Sequence, residues 1–267
     1  MSATAAEWMA LEQGVAMSGA RRLRMLWVET RLEFLKLLRT PAFSIPTLTF
    51  PAFFYVLFGL TLTSRGMGRL GMPTYLLASY GAFGALGVAL GAFGIGYAME
   101  RGQGWLTLKR ASPLPPAVYF GAKLLMSVAF GALVFALLAL LAIAFGGVAL
   151  SVGTWLLLAT AVVLGAVPFC AFGLLLGSLG SPNAAPALVN LVHLPMAFLS
   201  GMWIPIQGLP PALRQAARFL PGYHYTQLAL KPIGGDLGQS AWLHVGVLVV
   251  FGLACLAGAA WLWSREE

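Results

Sequence analysis

The chain has 267 residues, 60% of them hydrophobic and only 9% charged, with a mean hydropathy of +0.86. A soluble domain carries about 25% charged residues, so this chain lacks the polar groups to cover a water-facing surface, and the bilayer is its expected solvent. The net charge of +8 would suggest nucleic acid in a soluble protein, but the bases fall between apolar runs and no groove-reading motif is present, so membrane orientation is the simpler cause and no nucleic-acid partner is expected.

The first forty residues mix six bases with four acids, and no short apolar core precedes a small-residue cleavage site, so no cleaved leader is expected. Residues 1–43 read as a cytoplasmic N-terminal segment built around "RRLRMLWVETRLEFLKLLRTP". At 100° per residue, Leu23, Leu26, Trp27, Phe34, Leu37 and Leu38 share one direction. Thr30 intrudes on that face, while Glu29, Glu33 and Lys36 are expected to point away from it. The helix should end before Pro41. It is too charged to span, so it should lie along the membrane face against lipid, as an anchor or as a docking surface.

Residues 44–267 read as a six-span transmembrane domain, giving an all-α integral membrane fold. A span needs about 20 apolar residues, and such runs lie near 44–62, 74–99, 117–145, 153–179, 184–204 and 241–263. The second run carries Gly81, Gly84, Gly87, Gly91 and Gly94, and the fourth repeats the spacing with Gly173 and Gly177. Small residues at these offsets let backbones approach closely, within one subunit or between two. Cys170 and Cys255 sit inside apolar runs without ligand-spaced neighbours, which points to packing.

The bases orient the spans. Arg21, Arg22, Arg24, Arg31, Lys36, Arg39, Arg101, Lys109, Arg110, Lys123 and Arg265 fall on one side; Arg65, Arg69, Arg214, Arg218 and Lys231 fall on the other. The asymmetry places both termini, and the link after the second span, in the cytoplasm. Between the fifth and sixth runs, "LPPALRQAARFLPGYHYTQLAL" is apolar and punctuated by Pro210, Pro211 and Pro221. Two short re-entrant helices on the extracytoplasmic side are expected there.

The residues for several chemistries are missing. The spans hold no acid except Glu100 at a boundary, which disfavours an ion-coupled carrier. "FLSGM" lacks the leading Gly of a GxSG serine motif, and His224 and His244 have no ligand-spaced partners. No lysine follows a glycine-rich phosphate loop, so the chain is expected to bind no nucleotide, metal or other cofactor, and no enzymatic activity is expected of it. Thr47, Phe50, Tyr55, Ser79, Tyr80, Asn190 and His193 are scattered candidates for a path; His193 serves either helix packing or substrate.

Three stretches carry a family resemblance: "LLRTPAFSIPTLTFPAFFYVLFG" at 37–59, "MERGQGWLTLKRASPLPPAVYFGAKLL" at 99–125 and "LSGMWIPIQGLPPALRQAARFLPGYHYTQLAL" at 199–230. Their order and spacing resemble the membrane subunit of the type-2 ABC exporter family, with Trp105 standing where many members have a smaller polar residue. The resemblance implies a multi-pass permease of a bacterial-type inner membrane that exports an amphipathic drug, lipid or glycan-like cargo. It implies a separate cytoplasmic ATP-binding subunit that holds ATP and Mg, and a second permease copy forming a homodimer. Glu100, Arg101, Gly104, Trp105, Leu106, Leu108, Lys109 and Arg110 would form the ATPase-coupling loop, with Leu23, Trp27, Glu29, Glu33 and Phe34 of the interfacial helix beside it. Trp105, Leu106 and Leu108 would offer an apolar plug, and Arg101, Lys109 and Arg110 would meet partner acids. The alternative is an ATP-independent carrier or an assembly scaffold.

Overall fold

The computed structural model describes residues 18–61, 70–112 and 114–263. Arg65, Arg69, Pro113 and Arg265 lie outside them, as does the side chain of Arg110. Among the described residues the regular elements are helical, and five helices are long and apolar enough to cross a membrane, giving a multi-pass integral membrane protein.

Helix α1 (Gly19–Leu38) begins where the Ser18 hydroxyl accepts the Arg21 N–H at 3.3 Å. It ends ahead of Pro41, which opens α2 (Pro41–Leu60). Pro46 and Pro51 lie inside α2, and its last stretch, Tyr55–Leu60, widens to π geometry. Each internal proline withholds an N–H from the carbonyl four residues earlier, an irregularity that membrane helices tolerate.

Helix α3 (Met72–Gly102) is the axis of the molecule. Its 31 residues correspond to roughly 46 Å of rise, well beyond the about 30 Å of hydrocarbon. Its most apolar stretch is 94% buried, against 22% for α2, so its surroundings are other helices rather than lipid. Close approach explains part of this. A Cβ placed on Gly177 would lie 2.5 Å from the Gly94 carbonyl oxygen, so these two backbones touch directly. Gly87 and Gly91 likewise face His193 and Phe43 of the same chain, which makes this glycine face an intramolecular packing surface.

After α3, Gly104 takes a left-handed turn with φ of 76° and starts the short α4 (Trp105–Ala111). Helices α5 (Pro116–Ala144) and α6 (Val152–Leu179) match the third and fourth expected spans; α6 has a break at Ala166, two residues before Pro168. The fifth expected span, 184–204, is the shorter α7 (Ala185–Leu199). Its 15 residues rise roughly 22 Å. Ser200 and Gly201, the latter at φ of 82°, stop it there.

The expected short helices of the following link are α8 (Pro211–Ala217) and α9 (Pro221–Leu230), each opened by a proline. Helix α9 is buried along most of its length, and its Tyr225 hydroxyl donates to the Val162 carbonyl of α6. Helix α10 (Ala241–Trp263) closes the chain, packed along the second half of α6.

Candidate functional site

The link singled out in the sequence, 100–116, is a short helix hung between two long ones. Helix α4 presents Trp105, 50% exposed, and Leu108, 70% exposed, on its outer face. Leu106 turns the other way and lines a small cavity with Tyr97, Leu114, Pro116, Tyr119 and Phe120. Of the three residues expected to form an apolar plug, only Trp105 and Leu108 share the outer face, because one turn of helix cannot point three neighbouring positions in one direction.

Behind α4 lies a junction of charges from four helices. Lys123 of α5 is 1% exposed, and its ammonium sits 3.2 Å from Glu33 Oε2 of α1 and 2.9 Å from Glu100 Oε1 of α3. Lys36 pairs with the same two carboxylates, at 3.4 Å from Glu33 and in a shorter contact with Glu100. Lys109 of α4 lies 3.4 Å from Glu33 and 3.9 Å from Glu29, and sits over the Tyr119 ring at 4.4 Å. The Tyr119 hydroxyl donates to Glu100. Three carboxylates thus face three ammoniums. Burial alone would lower the pKa of Lys36, but Glu100 and Glu33 outweigh it and hold the pKa above its ordinary value.

This geometry corrects several expectations. Glu33 is buried against α5, rather than pointing away, because its counter-charges come from helices far along the chain. Helix α1 packs through Leu26, Phe34 and Leu37, whereas Leu23 and Trp27 are left exposed. The Thr30 hydroxyl is satisfied by the Leu26 carbonyl at 2.7 Å. Arg101 and Lys109 are engaged inside the chain, so neither is held in reserve for a partner's acids: Arg101 donates to the Ser178 and Gly180 carbonyls at 3.0 and 2.7 Å, covering the C-terminus of α6. Lys123 is a core residue, not a loop base.

Tyr119 and Lys123 were not singled out in the sequence as site residues. A lone lysine seven residues into an apolar helix is the one signal that marks the position. Its partners lie 90 and 23 residues away, and no local pattern connects them.

The path candidates separate into two groups. Thr47, Phe50, Asn190 and His193 line one cleft between α2, α3 and α7. Tyr55, Ser79 and Tyr80 are buried in helix packing elsewhere. On the far side of the molecule the structure also joins His224 and His244, which sequence spacing left unpaired: their Nδ1 atoms are 3.0 Å apart. Among the described residues no third ligand stands with them to hold a metal.

Residues 60–261 match the family model described as ABC-2 family transporter protein. The chain is 24% identical over 245 residues to "Putative transport permease YvfS" of Bacillus subtilis (strain 168), covering 92% of this chain and 99% of that protein. A 62-residue stretch is 40% identical to "Nodulation protein J" of Rhizobium leguminosarum bv. viciae, covering 23% of this chain and 24% of that protein.

Proposed function

Since the chain belongs to the ABC-2 transporter family, and is a transport permease of that family, we propose that it is the membrane subunit of an exporter driven by a separate ATP-binding protein. The observation that carries this reading is the exposed Trp105–Leu108 face of α4, backed by the charge junction. Large apolar side chains at a membrane's water boundary are poorly placed unless a partner or the interface covers them. A seven-residue helix transmits a push only if its supports are firm. Here Lys109 ties α4 to α1, and Glu100 and Lys123 tie α3 to α5. A partner pressing on Trp105 and Leu108 would move three long helices together.

In this reading α4 and both termini face the cytoplasm, as the base asymmetry favours. ATP and Mg are held by the partner, and a second permease copy completes the path. Helix α7, with the residues that follow it, makes a sixth crossing; α8 and α9 form a re-entrant cap, which the burial of α9 supports. The cargo is amphipathic.

The test is co-expression with a candidate ATP-binding subunit and co-purification of the two. Trp105→Asp with Leu108→Asp should preserve insertion and abolish both capture of the ATPase and stimulation of its hydrolysis. Wild-type stimulation in that double variant would overturn the assignment of α4. Failure of the native chain to capture the ATPase would overturn the powered-exporter reading.

A further inference from the structure

Where α9 meets the start of α10, two buried imidazoles meet. Pro221 opens α9 and sets His224 in its first turn. The Ser240 carbonyl accepts the His244 N–H at 3.4 Å and sets His244 in the first turn of α10. The link between the helices is tied back to α9: Gln227 Oε1 accepts the Leu237 N–H at 2.8 Å, and the Tyr223 hydroxyl donates to Gln239 Oε1 at 3.0 Å.

The bonds around the pair fix its protons. Asp236, the acid of that link, is already paired with Lys231 at 2.8 Å, so no free carboxylate offsets a charge on the rings and both are neutral. The Arg218 carbonyl can only accept, so His224 Nε2, 3.0 Å from it, carries a hydrogen. The His224 Nδ1 is then bare, and His244 donates to it from its own Nδ1 at 3.0 Å. His244 Nε2 is left bare, buried and without a hydrogen-bond partner among the described residues. The two rings are thus opposite tautomers holding one hydrogen each.

A third hydrogen has no good place. On His224 Nδ1 it would set two N–H groups against each other and part the rings; on His244 Nε2 it would bury a charge and an unsatisfied donor. The other groups about the pair are Tyr223, whose ring lies against both, Arg218, and the Lys231–Asp236 pair. None of these residue types ordinarily titrates between about pH 5 and 8. Helices α3 and α6 also pack on α9, but their Tyr75 and Cys170 bond Gly201 and Ser127, and His193 of α7 stacks on Phe83.

We propose that the His224–His244 pair is an acid-released latch, which fastens α9 to α10 while both rings are neutral and lets go when the extracytoplasmic side is acidified. The inference rests on the outward placement of α9 in the reading above and adds a means by which outside pH acts on that cap. The sign follows from proton uptake. Parted rings charge near the ordinary histidine value of about 6.5, whereas the closed pair does not. The latch is therefore at full strength above that value and weakens as pH falls below it.

The experiment uses the full chain in nanodiscs, without ATPase or nucleotide. Amide hydrogen exchange across residues 221–230 is followed from about pH 7.5 to 5.5 and corrected for the intrinsic pH dependence of exchange. Protection should fall at least about tenfold by the acid end, the factor for charging one imidazole a pH unit below its ordinary value. His244→Phe keeps a ring and removes the pair, so its protection should start lower and vary less than about twofold over the same range. His193→Phe should keep the native slope. Constant protection in the native chain, or a native slope in His244→Phe, would overturn the proposal. If His244→Phe fails to insert, imidazole nitrogen NMR of the His193→Phe chain, which retains only this pair of histidines, decides at neutral pH. Two neutral rings of opposite tautomer are expected, and a charged ring or two like tautomers would overturn the latch. A failed ATPase capture alongside the expected pH response would remove the exporter reading and leave the latch standing; the reverse outcome would remove the latch alone.

Discussion

At the junction, Lys123 is 1% exposed and meets two carboxylates; in the cleft, His193 is 8% exposed and its Nε2 meets nothing. Both are ionisable groups in a chain that otherwise keeps charge to 9% of its residues. The junction is closed: every buried carboxylate faces an ammonium, and the cluster fixes how α1, α3, α4 and α5 sit together. The cleft differs: His193 Nε2 has no hydrogen-bond partner among the described residues. A completed buried network defines geometry, whereas an unpartnered buried group contributes nothing to it.

The largest effect should separate the two sites on stability. Lys123→Met takes the most buried ammonium from Glu33 and Glu100 and leaves only Lys36 and Lys109 to face them. Breaking such a pair from one side costs about 3–5 kcal/mol, so thermal unfolding in detergent should shift down sharply. An unchanged melting curve would show that the junction is not closed in the sense described. A double-mutant cycle between Glu33→Gln and Lys123→Met should come next, with an interaction energy of roughly 1–3 kcal/mol. Strict additivity would mean that the two residues do not interact.

His193→Phe should change stability by less than about 1 kcal/mol, because it removes an unsatisfied polar atom while keeping an aromatic ring on Phe83. A loss as large as that of Lys123→Met would place His193 among the groups that hold the fold, and would erase the contrast. The smallest effect is with pH. Lys36 has its pKa raised above 10.5, so the stability it contributes is complete below that value and is lost only as pH rises through the elevated one. The ion pairs of Lys36 should therefore stay intact from neutral pH to about 10, and chemical-shift titration of its ammonium would check this. Neutralisation near pH 8 would contradict the packing drawn for α1.

The sequence was informative where a signal is local. Apolar runs located the long helices to within a few residues, since a bilayer demands length and hydrophobicity and little else. Pro41, Pro116, Pro211 and Pro221 marked helix starts because their missing N–H is harmless there. The packed face of α1 is not legible in its own sequence, for a definite reason. A helical wheel assigns charges to the outside, and only the fold brings Lys123 of α5 within reach of Glu33. The same limit hid the inward turn of Leu106 and the internal engagement of Arg101. His193 was visible as a candidate, but its empty Nε2 depends on Phe83 and Gly87, about a hundred residues earlier in the sequence.

The enclosure of α3 has a mechanical consequence. A helix bathed in lipid can bend away from a load, because its neighbours flow. Helix α3 is walled by protein along its apolar stretch, with its backbone against that of α6 at Gly94 and Gly177. A thrust applied at its Glu100 end finds no soft side to deflect into. It would be passed along the roughly 46 Å of the helix, toward α9 and the Tyr75–Gly201 contact at its other end.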